Sequence, residues 1–323
     1  MFLFTRKALA LIGASAAAVA STAVLATPAQ AASAGLAKVV GTTVQFQALN
    51  GKANNLVISI SGRTVTLDDS VALKPGKGCR KVDKTKVRCT TKKATKLIKV
   101  ALGDRNDAVK NKTRVALLAN GGPGNDKLTG GSGADELRGG AGNDRIWGVG
   151  GDDYLIGGNG NDVLSAGDGY DWADGGAGDD KLLGGNHDDF LDGGAGVDRI
   201  YAGAGDDTAF GDTGNDFLYG EAGFDGLVGE AGNDVLSGST EDDLLIAESF
   251  DESLKPVGSA TATDKLDGGP QLTGDVCLAL AGATKANCEL SEIPLGDLAA
   301  ASAGGVAPEL ADVKKRLLEA RTK

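Results

Sequence analysis

The sequence predicts an all-β chain whose centre is a parallel solenoid, and three observations carry that reading. Fourteen nine-residue blocks follow one another without a gap from Gly121 to Ile246, and every block has Asp at its sixth position. The eighth position is Leu or Ile except at Ala173 and Ala209, and the fourth is Gly except at His187 and Glu241. The stretch before the blocks alternates short apolar runs with turns, as strands do. A fixed short period marks a stacked repeat, because a single unit cannot bury its apolar face alone. A glycine-rich linker explains the composition but not an aliphatic residue held in a ninefold register.

Residues 1–31 read as a secretory signal peptide. Arg6 and Lys7 precede an apolar run from Ala8 to Leu25, and Ala29-Gln30-Ala31 offers a small-residue cleavage site. No later segment approaches 18 consecutive apolar residues, so no membrane span is expected in the mature chain. Residues 32–120 are expected to form a β-rich N-terminal cap. Val44–Ala48, Leu56–Ile60, Thr64–Leu67, Leu97–Val100 and Val115–Leu118 are its candidate strands, and Gly103–Asp107 looks like a degenerate turn of the repeat. A cap is needed because an open solenoid end exposes apolar core and unpaired strand edges.

Within a block, Gly121-Gly122-Pro123-Gly124-Asn125-Asp126 is expected to turn and Lys127-Leu128-Thr129 to form a strand. Glycine supplies positive-φ backbone and close approach, so that several carbonyl oxygens can face one point. Asp adds a carboxylate oxygen there, and the aliphatic residue at position eight points inward because side chains alternate along a strand. An all-oxygen donor set of this kind suits Ca²⁺, which takes six to eight oxygens in a flexible cage.

These residues resemble the RTX family, also called hemolysin-type calcium-binding repeats, over 126 residues of the 323. The resemblance implies a β-roll or β-helix in which two blocks make one 18-residue coil. A calcium ion would then sit between one turn and the turn two blocks later, which allows twelve sites at most. The implied ligands on one side are Asp126, Asp144, Asp162, Asp180, Asp198, Asp216 and Asp234. On the other they are Asp135, Asp153, Asp171, Asp189, Asp207, Asp225 and Asp243.

After Ile246 the register breaks. Residues 247–290 are expected to hold an irregular insertion, a low-fidelity repeat at Asp264–Gly269 and a C-terminal cap. The stretch from Gly274 to Glu289 resembles the disulfide-closed end cap of secreted bacterial RTX proteins. Residues 291–323 form a tail in which Leu310, Val313, Leu317 and Leu318 have helical spacing. The four cysteines fall into two close pairs, Cys79 with Cys89 and Cys277 with Cys288, which read as two disulfides in an exported chain. Neither pair has CxxC spacing and the one histidine, His187, lies elsewhere, which disfavours zinc.

Charge separates the two halves. The array has 27 acidic and 5 basic residues, a formal −22, whereas residues 33–120 have 5 acidic and 18 basic, a formal +13. Such an acidic array repels itself unless cations neutralise it, and it is a poor partner for nucleic acid. Calcium would supply both neutralisation and folding free energy. No HExxH or GxSxG occurs, and a single histidine removes most nucleophile–His schemes, so the chain is read as non-enzymatic. Tyr154, Trp172 and Phe190 share position seven at 18-residue spacing, and Tyr201 and Tyr219 make a shorter ladder opposite. The first ladder is either cross-strand packing or a recognition strip for a glycan or protein ligand. The expected whole is a secreted, extracellular calcium-binding solenoid. The alternative is an adhesin or surface interaction protein using the loaded array as a spacer or binding face.

Overall fold

Each coil of the chain contributes one strand to each of two parallel sheets, so the odd and even blocks separate onto opposite faces. The computed structural model describes residues 34–247 and the short stretches 249–250, 256–257, 264–269, 276–278 and 284–288. All of these lie in one compact unit, Ala32–Glu292. The signal-peptide reading of 1–31 and the helical tail lie outside the described residues, as does most of the insertion after Ile246. Among the described residues no helix is long and apolar enough to cross a membrane.

The register is 18 residues throughout the array. Leu137 pairs with Leu155, Leu155 with Ala173 and Ala173 with Leu191 in one sheet, while Ile146, Leu164, Leu182 and Ile200 follow each other in the other. These position-eight side chains are fully buried between the sheets. Each buried Leu or Ile is worth roughly 1.5–3 kcal/mol, so the line of them is the main apolar stabilisation of the coil. The strands are longer than the sequence predicts. Most run six residues, as in Arg145–Gly150 and Tyr154–Asn159, from position seven through position three of the next block. The residues at positions two and three keep pairing with the neighbouring coil, as Gly140 does with Gly158 and Ala141 with Asn159, which leaves only positions four to six as the turn proper.

The five candidate strands of the cap are all present, at Thr43–Gln47, Asn55–Ser61, Thr64–Asp68, Leu97–Ala101 and Ala116–Pro123. Five more complete it: Gly35–Val40, Leu73–Pro75, Cys79–Lys81, Lys86–Thr90 and Ala108–Asn111. Gly35–Val40 runs antiparallel to Thr43–Gln47 and Thr64–Asp68 antiparallel to Asn55–Ser61, which ends the parallel stack, and Leu73–Pro75 and Cys79–Lys81 form the outermost strands of the two sheets at this end. The Cys79–Cys89 disulfide joins two register partners of the outermost antiparallel pair. Cys277–Cys288 ties the strand Val276–Leu278 of one sheet to the residues just after Thr284–Ala286 of the other at the far end. An 18-residue spacing lapses only near the ends. Asp107 and Asp126 are 19 apart, and Asp264 pairs beyond Asp234 after a 30-residue excursion.

Candidate calcium ladder

Each turn presents its Asp in the same way, and the two carboxylate oxygens have different tasks. Oδ1 of Asp144 accepts the backbone N–H of Asp126 at 2.7 Å, and Oδ1 of Asp162 accepts that of Asp144 at 2.6 Å. The relation repeats along the odd row through Asp180, Asp198, Asp216 and Asp234. In the even row it links Asp135, Asp153, Asp171, Asp189, Asp207, Asp225 and Asp243. All fourteen residues are at most 4% exposed. The structure thus brings every sequence-predicted ligand into one of two continuous rows.

The second oxygen is left over. Oδ2 of Asp126, Asp144, Asp153, Asp162, Asp171, Asp180, Asp189, Asp198, Asp207, Asp216 and Asp225 is buried without a hydrogen-bond partner. Asp135 differs, because its Oδ2 accepts the N–H of Gly131 in its own turn, with Leu117 rather than Asp in the preceding coil. A buried carboxylate oxygen without a donor costs several kcal/mol as an anion, so burial pushes these groups toward the neutral acid. Asp126, Asp162 and Asp180 rise to about 7, Asp153 and Asp189 to about 9, burial being the largest cause and like-charged neighbours along the row adding to it.

The glycines show what surrounds that oxygen. A Cβ on Gly121 would collide with Asp126 Oδ2 and lie 2.7 Å from the Gly139 carbonyl oxygen of the next coil. On Gly140 and Gly142, both at positive φ, it would strike the carbonyl oxygens of Gly122 and Gly124. Main-chain oxygens therefore crowd each turn beside the free carboxylate oxygen. Among the described residues no three His, Cys, Asp or Glu side chains cluster as a metal centre. The donors are instead one carboxylate per turn and backbone carbonyls, a hard oxygen set that fits Ca²⁺ and suits softer metals poorly.

Two further carboxylates belong to the odd row although they fall outside the ninefold register. Asp126 Oδ1 accepts the N–H of Asp107, and Asp264 Oδ1 that of Asp234 at 2.8 Å. Oδ2 of both Asp107 and Asp264 is buried without a partner. The fragments Gly103–Asp107 and Asp264–Gly269 were the sequence signal for them. At Asn54 the row ends.

Position-two and position-four substitutions have a backbone consequence. Val149, His187, Asp212, Glu221, Glu230 and Glu241 all keep the positive φ of the glycine they replace. Ala166 and Ala202, which replace glycine at position one, do not, so no positive-φ strain attaches to them. The aromatic ladder is on the outer face of its sheet. Tyr154 meets Trp172 edge-on at 5.0 Å, Trp172 meets Phe190 at 5.3 Å, and Phe210 extends the row. Tyr201 and Tyr219 stack at 5.0 Å on the opposite sheet.

A two-sheet solenoid with a carboxylate and backbone carbonyls at every turn defines a repeat-built cation-binding protein. The family model of the RTX calcium-binding nonapeptide repeat, in four copies, matches residues 120–155, 156–191, 171–200, 192–227 and 219–251. Residues 120–251 are therefore RTX calcium-binding repeats. No curated protein matches the chain as a relative.

Proposed function

We propose that the protein is an exported calcium-binding solenoid whose array folds when Ca²⁺ enters the turns. The observation that carries this is the set of buried Oδ2 atoms beside glycine carbonyls, repeated coil after coil. Asp126, Asp144, Asp162, Asp180, Asp198, Asp216 and Asp234 are the proposed ligands of one row, to which we add Asp107 and Asp264. Asp135, Asp153, Asp171, Asp189, Asp207, Asp225 and Asp243 are those of the other. When bound, calcium supplies positive charge that offsets the cost of burying carboxylates. The residues do the rest: Oδ1 ties adjacent coils through the backbone, glycine turns the carbonyls inward, and Leu or Ile closes the core.

Export rests on the leader-like residues 1–31 and on the two disulfides, which form in oxidising compartments. Sites of extracellular modules bind calcium at about 10⁻⁴–10⁻³ M, which would leave the array unfolded before export and folded after it. The protein's role in this reading is binding and architecture rather than catalysis. The edge-to-face geometry of Tyr154, Trp172 and Phe190 favours cross-strand packing over a glycan or protein docking strip. Equilibrium dialysis of the full chain against radioactive calcium tests the assignment. Several ions per chain are expected, fewer in a variant carrying Asp162→Asn and Asp180→Asn, and an unchanged count in that variant overturns the ligand assignment.

A further inference from the structure

The array has five basic residues, and four of them fall on one line. Lys127, Arg145, Lys181 and Arg199 all occupy position seven of odd blocks, on the outer face of one sheet, and all four are exposed. Lys127 and Arg145 are direct register partners, as are Lys181 and Arg199. Only Val163 interrupts the line, between Arg145 and Lys181. With neighbouring strands about 4.8 Å apart, the four cations span roughly 19 Å along the solenoid.

This placement works against the fold. Like charges directly opposite one another in a sheet destabilise it, and the surrounding array offers 27 carboxylates that could have faced them instead. None of the four has a carboxylate within ion-pair distance among the described residues, where the ion pairs are Lys86–Asp68 and Arg138–Glu136. Lys181 lies over the Tyr201 ring at 5.0 Å and Arg199 over Phe217 at 5.2 Å, which steadies the side chains without neutralising them. Beside the cations runs a second outward column, in which Trp147, Tyr201 and Tyr219 are half-buried. Lys110 carries positive charge from this column into the basic cap.

We propose that this face binds a linear, carboxylate-bearing polysaccharide, with its acid groups on the Lys127–Arg145–Lys181–Arg199 line and its sugar rings against the aromatic column. Charge spacing selects the ligand class. One cation on four of five successive strands suits a chain with a sparse, regular series of carboxylates. Duplex DNA carries one charge per about 1.7 Å, and the acidic turns on both edges of the sheet would repel so dense a backbone. Neutral glycans would leave the cations unpaired.

The test is binding of a hexagalacturonate probe to the full chain in calcium, with single-stranded DNA and neutral dextran oligomers for comparison. The wild-type chain is expected to bind hexagalacturonate, more weakly as salt rises, and to prefer it to both others. Replacing all four cations with Gln should weaken binding on the order of tenfold or more, as four exposed ion pairs imply. Arg138→Gln, on the other sheet, should leave it unchanged. Circular dichroism on each variant shows whether calcium still folds it, so a failure of the calcium reading is seen separately. Should the fourfold variant not fold, the Lys127→Gln, Arg145→Gln double variant makes the same comparison. Absent binding, tighter binding of DNA or dextran, or equal binding by the fourfold or double cation variant overturns the proposal.

Discussion

The Asn54 side-chain amide nitrogen lies 3.0 Å from Asp107 Oδ1 and also faces the carbonyl oxygens of Lys52 at 3.1 Å and Leu102 at 3.3 Å. Three oxygens converge there on an N–H donor, where the next step of the row would otherwise place another carboxylate. Asn54 thus ends the ladder with a neutral group. Asn54→Asp should remove that donor and add a charge beside Asp107, costing about 1–3 kcal/mol at calcium just sufficient to fold the chain. In saturating calcium the loss should be smaller, because a cation satisfies both carboxylates. Melting temperatures at limiting and at saturating calcium check this, and an equal drop in both conditions contradicts it.

The turn glycines carry a steric prediction. Gly142 sits at φ +124, and a Cβ there meets the Gly124 carbonyl oxygen; at Gly150 an added Cβ finds ordinary contacts at 3.6 Å or more. Gly142→Ala should cost about 1–3 kcal/mol from backbone strain, with the steric clash adding to it. At about 2–4 °C per kcal/mol that is a clear fall in melting temperature. Gly150→Ala should move it little. Thermal unfolding of the two calcium-loaded variants decides.

The two rows should differ in strength. The turn before Asp162 has glycine at both positive-φ positions, whereas His187 holds φ +77 two residues before Asp189. Strain of about 1 kcal/mol is roughly a fivefold weakening of an affinity. Asp162→Ala should therefore raise the calcium midpoint of folding more than Asp189→Ala, and His187→Gly should lower it. Equal midpoints for the two alanine variants would refute the asymmetry while leaving the solenoid intact.

Protons should partly replace calcium. The buried carboxylates have folded-state values raised from 3.8 to between about 6 and about 9, with burial as the first cause. A group raised on folding favours the folded state fully below its unfolded value, and that contribution is lost as pH rises through the folded value. In calcium-free buffer, β-structure should therefore increase as pH is lowered from 9 toward 4. The calcium midpoint should rise over the same interval, since protons compete for the ligands. Circular dichroism along a pH series, with and without calcium, measures both; β-structure that falls on acidification would run against the sign.

Much of this was legible in the ninefold register alone. Asp at position six and Leu or Ile at position eight foretold both rows and the core, because every coil meets an identical neighbour. What was missed depends on pairing rather than period. Asp107 lies 19 residues before Asp126 and Asp264 lies 30 after Asp234, so a fixed-spacing scan stops short of both. Gly35–Val40 owes its strand state to a tight hairpin with Thr43–Gln47, and Lys86–Thr90 to antiparallel pairing with the more distant Thr64–Asp68. The cation line has an 18-residue period and emerges only once odd and even blocks part onto separate sheets.

Calcium-dependent folding is the central claim, and far-ultraviolet circular dichroism of the chain from residue 32 onward tests it most directly. In chelator the array should be largely disordered, and millimolar calcium should convert it to β-structure. Equal magnesium should do so poorly, since it demands a tighter octahedral shell. A spectrum that is the same in chelator and in calcium would contradict the account.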